Sequence, residues 1–245
     1  MKSRHLTETD LANLAFKPVA MKRQTLLALE KPKPISGSYE PFRQHNGDAV
    51  NEQMPLFVGS QAATPLGKLE EVVAKACRGS DDLLKMNLPV ARATHDYAVK
   101  NSLQARREDI RSLVLPYGHK YQFGMPLLMV YPDGRIVAVF PDLRRTQALS
   151  KVAQFFVFSM MHHRWRENYP DLESVGLEIW RYRNNTDRDI VPIACSEQEL
   201  FPYDALIADV RETYDIWHQV LTEGSDVRRH GSLSDAGPLF GSAKA

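Results

Sequence analysis

The sequence predicts an α/β (α+β) fold: a small mixed sheet of about four strands with a central buried helix and flanking helices, preceded by an N-terminal helical region and an extended arm. Three observations predict it. Asp133-Gly134 lies between two apolar runs, Leu127–Tyr131 and Arg135–Phe140, and Asp-Gly in that setting is a strong hairpin signal. Residues 146–166 are apolar almost all round (Leu149, Val152, Phe155, Phe156, Phe158, Met160, Met161, Trp165), as a helix enclosed by the rest of the fold must be. After Pro202, residues Tyr203, Leu206, Ile207, Val210, Tyr214, Trp217 and Leu221 recur at helical spacing, with Asp204, Asp209, Arg211, Glu212 and Asp215 on the opposite face.

The remaining elements follow in chain order. Thr7 to Glu30 has helical periodicity through Leu11, Leu14, Leu26 and Leu29, interrupted at Pro18, which cannot continue a helix without a kink. From Lys31 to Ser60 the chemistry is that of turns and linkers: Lys31-Pro32-Lys33-Pro34, Ser36-Gly37-Ser38 and His45-Asn46-Gly47-Asp48. Tyr39, Phe42, Leu56 and Phe57 stand isolated within it, spaced as anchors of an extended arm lying on another surface. Thr64-Pro65 starts a helix whose face is Leu66, Leu69, Val72, Val73 and Ala76. Gly79-Ser80-Asp81 ends that helix and caps a short second one. Pro89 opens a third, running to about Arg107, and Glu108 to Leu115 adds a further turn or two.

The hairpin strands are nearly continuously apolar, as strands buried on both faces are. Val175 to Tyr182 and Ile190 to Ala194 complete the sheet, joined through Asn184–Asp187. Residues 223–245 are polar and Gly/Ser-rich and read as a flexible tail in which Leu239-Phe240 is a short docking pair. The chain therefore divides into an N-terminal helix plus arm (1–60), an α/β core domain (61–222) and a tail (223–245).

Composition narrows the function. Among 245 residues, 31 Lys and Arg balance 30 Asp and Glu, and 43% are apolar, which excludes a disordered chain, a collagen-like repeat and a general polycation. Cys77 and Cys195 are far apart and form no CxxC pair, so a reduced, cytoplasmic setting is expected. No apolar stretch follows Met1–His5 as in a secretory signal, and the longest apolar-rich run, Ala153–Met161, is too short to span a bilayer; no membrane association is expected. P-loop, GxGxxG, HExxH and GxSxG motifs are absent.

What remains is an arrangement: hairpin, a second strand ending in Pro141-Asp142-Leu143-Arg144, a long buried helix, and a further strand. In order and spacing it resembles the restriction-endonuclease-like PD-(D/E)xK nuclease superfamily over about 60 residues. The resemblance implies two carboxylates holding Mg²⁺ at a scissile phosphate and a lysine activating water. Here the motif is degenerate. Asp142-Leu143-Arg144 takes the (D/E)xK place with an arginine that cannot serve as a neutral base, and no acid stands near Met125-Pro126-Leu127. Were the site active, Asp142 and Arg144 would work with Glu178, or with Glu108, as the second acid.

Basic residues gather around the same place: Arg144, Arg145, Lys151, His163, Arg164, Arg166, Arg181 and Arg183, with Trp165, Trp180 and Tyr182 between them. They form a candidate nucleic-acid surface, set against their pairing with Glu167, Asp171, Glu173 and Asp187 as a solvated rim. His163 and Glu167 have the spacing of one helical ligand pair, but no third ligand matches it, and no metal site is assigned. His119 lies in a tyrosine-rich loop as a candidate acid/base group.

Two functional classes result, with self-association as a third. The first is a non-catalytic, degenerate nuclease-like protein that binds a protein partner, nucleic acid, or both, within a larger assembly and needs no cofactor. The second is a divergent Mg²⁺-dependent nuclease.

Overall fold

The computed structural model describes residues 5–30, 38–53, 62–196 and 200–234, the last eleven of them as backbone. Helix α1 (Glu8–Leu14) opens with a reciprocal cap. The Asp10 amide donates to the Thr7 hydroxyl at 3.1 Å, and the Thr7 amide donates to the Asp10 carboxylate at 2.9 Å. The chain turns at Phe16, whose φ is 53°, and restarts beyond Pro18 as α2 (Val19–Glu30). Short helices α3 (Glu40–Gln44) and α4 (Asn46–Ala49) lead to α5 (Leu66–Ala76) and α6 (Asp81–Lys100). Strand β1 (Gln104–Arg107) follows, then a small ribbon of β2 (Leu113–Val114) with β3 (Lys120–Tyr121). The hairpin is β4 (Leu127–Val130) and β5 (Ile136–Asp142), turning at Gly134 with φ 85°. Helix α7 (Lys151–His162), capped by Ser150, runs into a π turn over His163–Glu167. Strands β6 (Gly176–Tyr182) and β7 (Ile190–Ala194) and the long helix α8 (Tyr203–Ser234) finish the fold.

The main sheet has five strands in the order β1-β4-β5-β6-β7. Its pairs are antiparallel except β5 with β6, which α7 connects as a crossover. Alternation along the strands separates two cores. Leu128, Ala138, Phe140, Leu177 and Ile179 face α1, α2, α7 and α8. Leu127, Met129, Val137, Val139, Trp180 and Tyr182 face α3 to α6. The all-round apolar character of α7 and the unbroken apolar runs of the hairpin are thus accounted for.

The fold is mixed α and β as expected, and five local expectations are corrected, the first being that residues 108–115 form no helical turn but carry β2. Residues 38–53 are not extended but form α3 and α4. Buried Asn87 on α6 holds this segment: its carbonyl accepts from the Phe42 amide at 3.0 Å, and its amide donates to Ser38 O at 2.8 Å. Residues 104–107 are a strand rather than a helix end. Ala105 bonds to Asn51 O and from Gln53 N on one side while the strand pairs with β4 on the other. Helix α6 continues through Pro89 instead of starting there. The Lys85 carbonyl, which a residue-89 amide would have used, receives the Arg145 guanidinium at 3.5 Å. Finally, α8 extends past residue 223 into the stretch expected to be tail.

Candidate functional site

The hairpin delivers Asp142 to the last position of β5, where it is 3% exposed. Arg144 folds back onto it in a two-pronged pair: Nε to Oδ1 at 2.8 Å and Nη2 to Oδ2 at 3.0 Å. The Leu149 amide reaches Oδ2 at 3.4 Å, so this carboxylate ties the end of β5 to the segment entering α7.

Glu178 is also buried, within a different network. One of its oxygens accepts from the Tyr131 hydroxyl at 3.1 Å and from Trp180 Nε1 at 2.9 Å, and the other lies 3.8 Å from Arg135. Tyr97 joins through the Tyr131 hydroxyl at 3.3 Å. Burial pushes both phenols up, and the Glu178 charge adds to it. Glu178 and Arg135 line a cleft of about 290 Å³ together with Arg166 and Cys195.

The structure does not bring Asp142 and Glu178 together. Asp142 pairs in register with Arg181, three residues beyond Glu178. An odd offset on paired strands puts the two carboxylates on opposite faces of the sheet, about 10 Å apart along it. Asp142 faces the α7 side, and Glu178 sits with Trp180 on the α6 side. Glu108 is at the edge of the sheet, paired with Arg106 at 2.5 Å. Among the described residues, no three His, Cys, Asp or Glu side chains gather as metal ligands.

The basic residues expected to share a surface divide between exposed and buried positions. Arg145, Lys151, Arg181 and Arg183 are exposed. Arg164 is buried, donating to the carbonyls of Ile110, Arg111 and Gln122, and burial pushes its pKa down to about 10. Arg166 donates to Val175 O at 2.7 Å. His163 stacks on Tyr203 with ring centres 3.5 Å apart and pairs with Glu167. Trp165, Trp180 and Tyr182 are core residues and offer no face for stacking bases. This arrangement corrects the expectation of one interleaved basic and aromatic face.

Phe42 is 1% exposed and belongs to the second core, so it is not open to a partner, while Tyr39 is half-buried against the same core. The other expected anchors, Leu56, Phe57, Leu239 and Phe240, lie outside the described residues. Two charged residues were not foreseen at all. Lys22 is fully buried between Asp209 and Glu212. Arg188 is 1% exposed and donates to Leu143 O. A lysine on an otherwise apolar helical face was the available signal for the first. The second stood in what read as a plain loop.

Both buried carboxylates are thus engaged by their own neighbours. Residues 9–227 match the family described as "Sliding clamp-binding bacterial toxin SocB". The chain belongs to the SocB family. A curated relative, the DNA replication inhibitor toxin SocB of Caulobacter vibrioides (strain NA1000 / CB15N), is 28% identical over 232 residues, covering 94% of this chain and 95% of the relative. No solved structure matches the chain. The SocB match spans α1 to α8, so it takes in both cores and the segment between α4 and α5. No described helix is long and apolar enough to cross a membrane.

Proposed function

We propose that this protein acts by binding a bacterial sliding clamp, and that its occupation of the clamp obstructs DNA replication. The observation that carries this reading is the family match across residues 9–227. The anchors are Leu56 and Phe57. They are adjacent large apolar side chains in the segment between α4 and α5, and a pair of this kind supplies the buried centre that a small interface needs. The tripeptide Pro-Leu-Phe at 55–57 occurs again at 238–240. The matched span includes the first copy and stops short of the second, which favours Leu56-Phe57 as the principal anchor. On this reading the α/β body is a non-catalytic carrier. Its hairpin, crossover helix and parallel strand support descent from a nuclease-like scaffold in which Asp142 has been given over to its bond with Arg144.

Titration of the labelled chain with a purified bacterial sliding clamp tests the proposal. Saturable binding is expected, with Leu56→Ala and Phe57→Ala each weakening it at least about tenfold, a loss of about 1.4 kcal/mol or more per anchor. Addition of the chain to a clamp-dependent primer-extension reaction should slow synthesis, and excess clamp should restore it. Absence of binding by the unaltered chain sinks the proposal. Binding that survives both substitutions, and is lost instead with Leu239→Ala and Phe240→Ala, moves the anchor to the second copy.

A further inference from the structure

Three arginines meet where β5 ends and the β6–β7 loop returns. Arg188 is 1% exposed, with one nitrogen on Leu143 O. Its Nε and Nη1 have no hydrogen-bond partner among the described residues, and the buried Nη1 of Arg144 has none either. Arg145 is exposed beside them, and its charge acts on Arg188. Asp142, whose charge acts on Arg188, has both oxygens engaged by Arg144.

Buried polar groups are almost always paired, and an unpaired N–H on a charged group is among the costliest to retain. Burial lowers the Arg188 pKa, and Arg145 lowers it further. A guanidinium in such surroundings is best explained by an anion it receives. The planar fork of arginine fits an oxyanion in two-pronged geometry. The nitrogens left without a partner, Arg188 Nε and Nη1 and Arg144 Nη1, outnumber the two non-bridging oxygens of a backbone diester, which favours a terminal phosphate with its three free oxygens. Arg144, with its side chain 22% exposed, and Arg145, which is exposed, are the solvent-facing members of the three.

We propose that Arg144, Arg145 and Arg188 form an oxyanion site that binds one terminal phosphate, as inorganic phosphate or a phosphomonoester. The proposal is independent of clamp binding and is tested without a clamp. Calorimetric titration of the full chain with inorganic phosphate, against chloride at matched ionic strength, should give saturable binding of one phosphate per chain. Arg145→Ala, with the fold checked by far-ultraviolet dichroism because Arg145 also reaches the Lys85 carbonyl, should weaken it at least tenfold. Arg188→Met should abolish it, and Lys151→Ala, an exposed cation on α7, should leave it unchanged. A 5′-phosphorylated oligonucleotide should compete with phosphate, whereas the same oligonucleotide without that group should not. Phosphate binding no better than chloride, retention of binding in both Arg145→Ala and Arg188→Met, or equal competition by both oligonucleotides would each overturn the site.

Discussion

Lys22 holds a full charge with no solvent exposure, which is sustainable only because its ammonium lies 2.7 Å from Asp209 and 2.6 Å from Glu212. Asp209 also accepts from the Phe16 amide at 2.9 Å, so one carboxylate fixes both the turn before α2 and the seating of α2 on α8. Lys22→Met leaves Asp209 nearly buried without its cation and should cost about 3–5 kcal/mol in urea denaturation. Lys22→Met with Asp209→Leu should recover part of that loss, and no recovery would show that packing rather than charge is what Lys22 supplies. His119 makes a pH argument at the same scale. It stacks on Tyr214 at 4.7 Å and meets His5 edge-on at 4.6 Å. Tyr121 bonds to Tyr214, and Tyr117 bonds to Asp215 alongside His218. Burial lowers the His119 pKa, and the charges of His5 and His218 add to it. The folded state therefore binds this proton less readily than the unfolded chain. The His119 contribution to stability is complete above the unfolded value of about 6.5 and is lost as pH falls through it towards the lowered folded value. Denaturation midpoints measured from pH 7.5 to 5 should decline, and His119→Gln should flatten the decline.

At the scale of elements, β7 shows how an exposed sheet edge is kept from pairing. The Cys195 amide donates to Leu177 O at 3.0 Å, so the odd-numbered residues of β7 direct their backbone at β6 and the even-numbered ones direct theirs outward. Pro192 occupies the central outward position and has no N–H to offer. Pro192→Thr should restore an unbroken edge and raise the mass seen by light scattering as concentration increases; an unchanged mass would mean that side chains already block the edge. Such elements differ in how far local sequence reveals them. The hairpin was legible because Asp133-Gly134 fixes its turn, and α1 and α2 because Pro18 separates them. Strand β1, Gln104-Ala105-Arg106-Arg107, carries one apolar residue and is a strand only because partners pair with it on both sides. Helix α6 continues through Pro89, and the Lys85 carbonyl freed there is met at 3.5 Å by Arg145 from a distant loop. The candidate site was legible as residue types but not as geometry. Asp142 and Glu178 lie in neighbouring strands, and the register that parts them belongs to the pairing of β5 with β6.

At the scale of the whole molecule, the sheet is the middle layer of three, and each of its inner strands contributes to both cores. Alternation makes this unavoidable: Ala138 and Phe140 belong to one core, Val137 and Val139 to the other. Neither helical layer can leave without exposing the apolar face of strands that the other still covers, so the two cores should unfold as one cooperative unit. The tryptophans allow a direct test, because Trp165 and Trp217 lie in the first core and Trp180 in the second. The chain has three tryptophans, so Trp165→Phe with Trp217→Phe leaves fluorescence that reports on the second core alone. In that background Phe156→Ala removes a fully buried ring from the first core and should cost about 3–5 kcal/mol, while Leu69→Ala should cost about 2–5 kcal/mol from the second. Both should move the Trp180 transition and the far-ultraviolet dichroism transition together in urea. If Phe156→Ala shifted the dichroism while Trp180 kept its midpoint, the layers would be separable, and the layer of α1, α2, α7 and α8 would form a unit able to open while the α5–α6 side stayed folded.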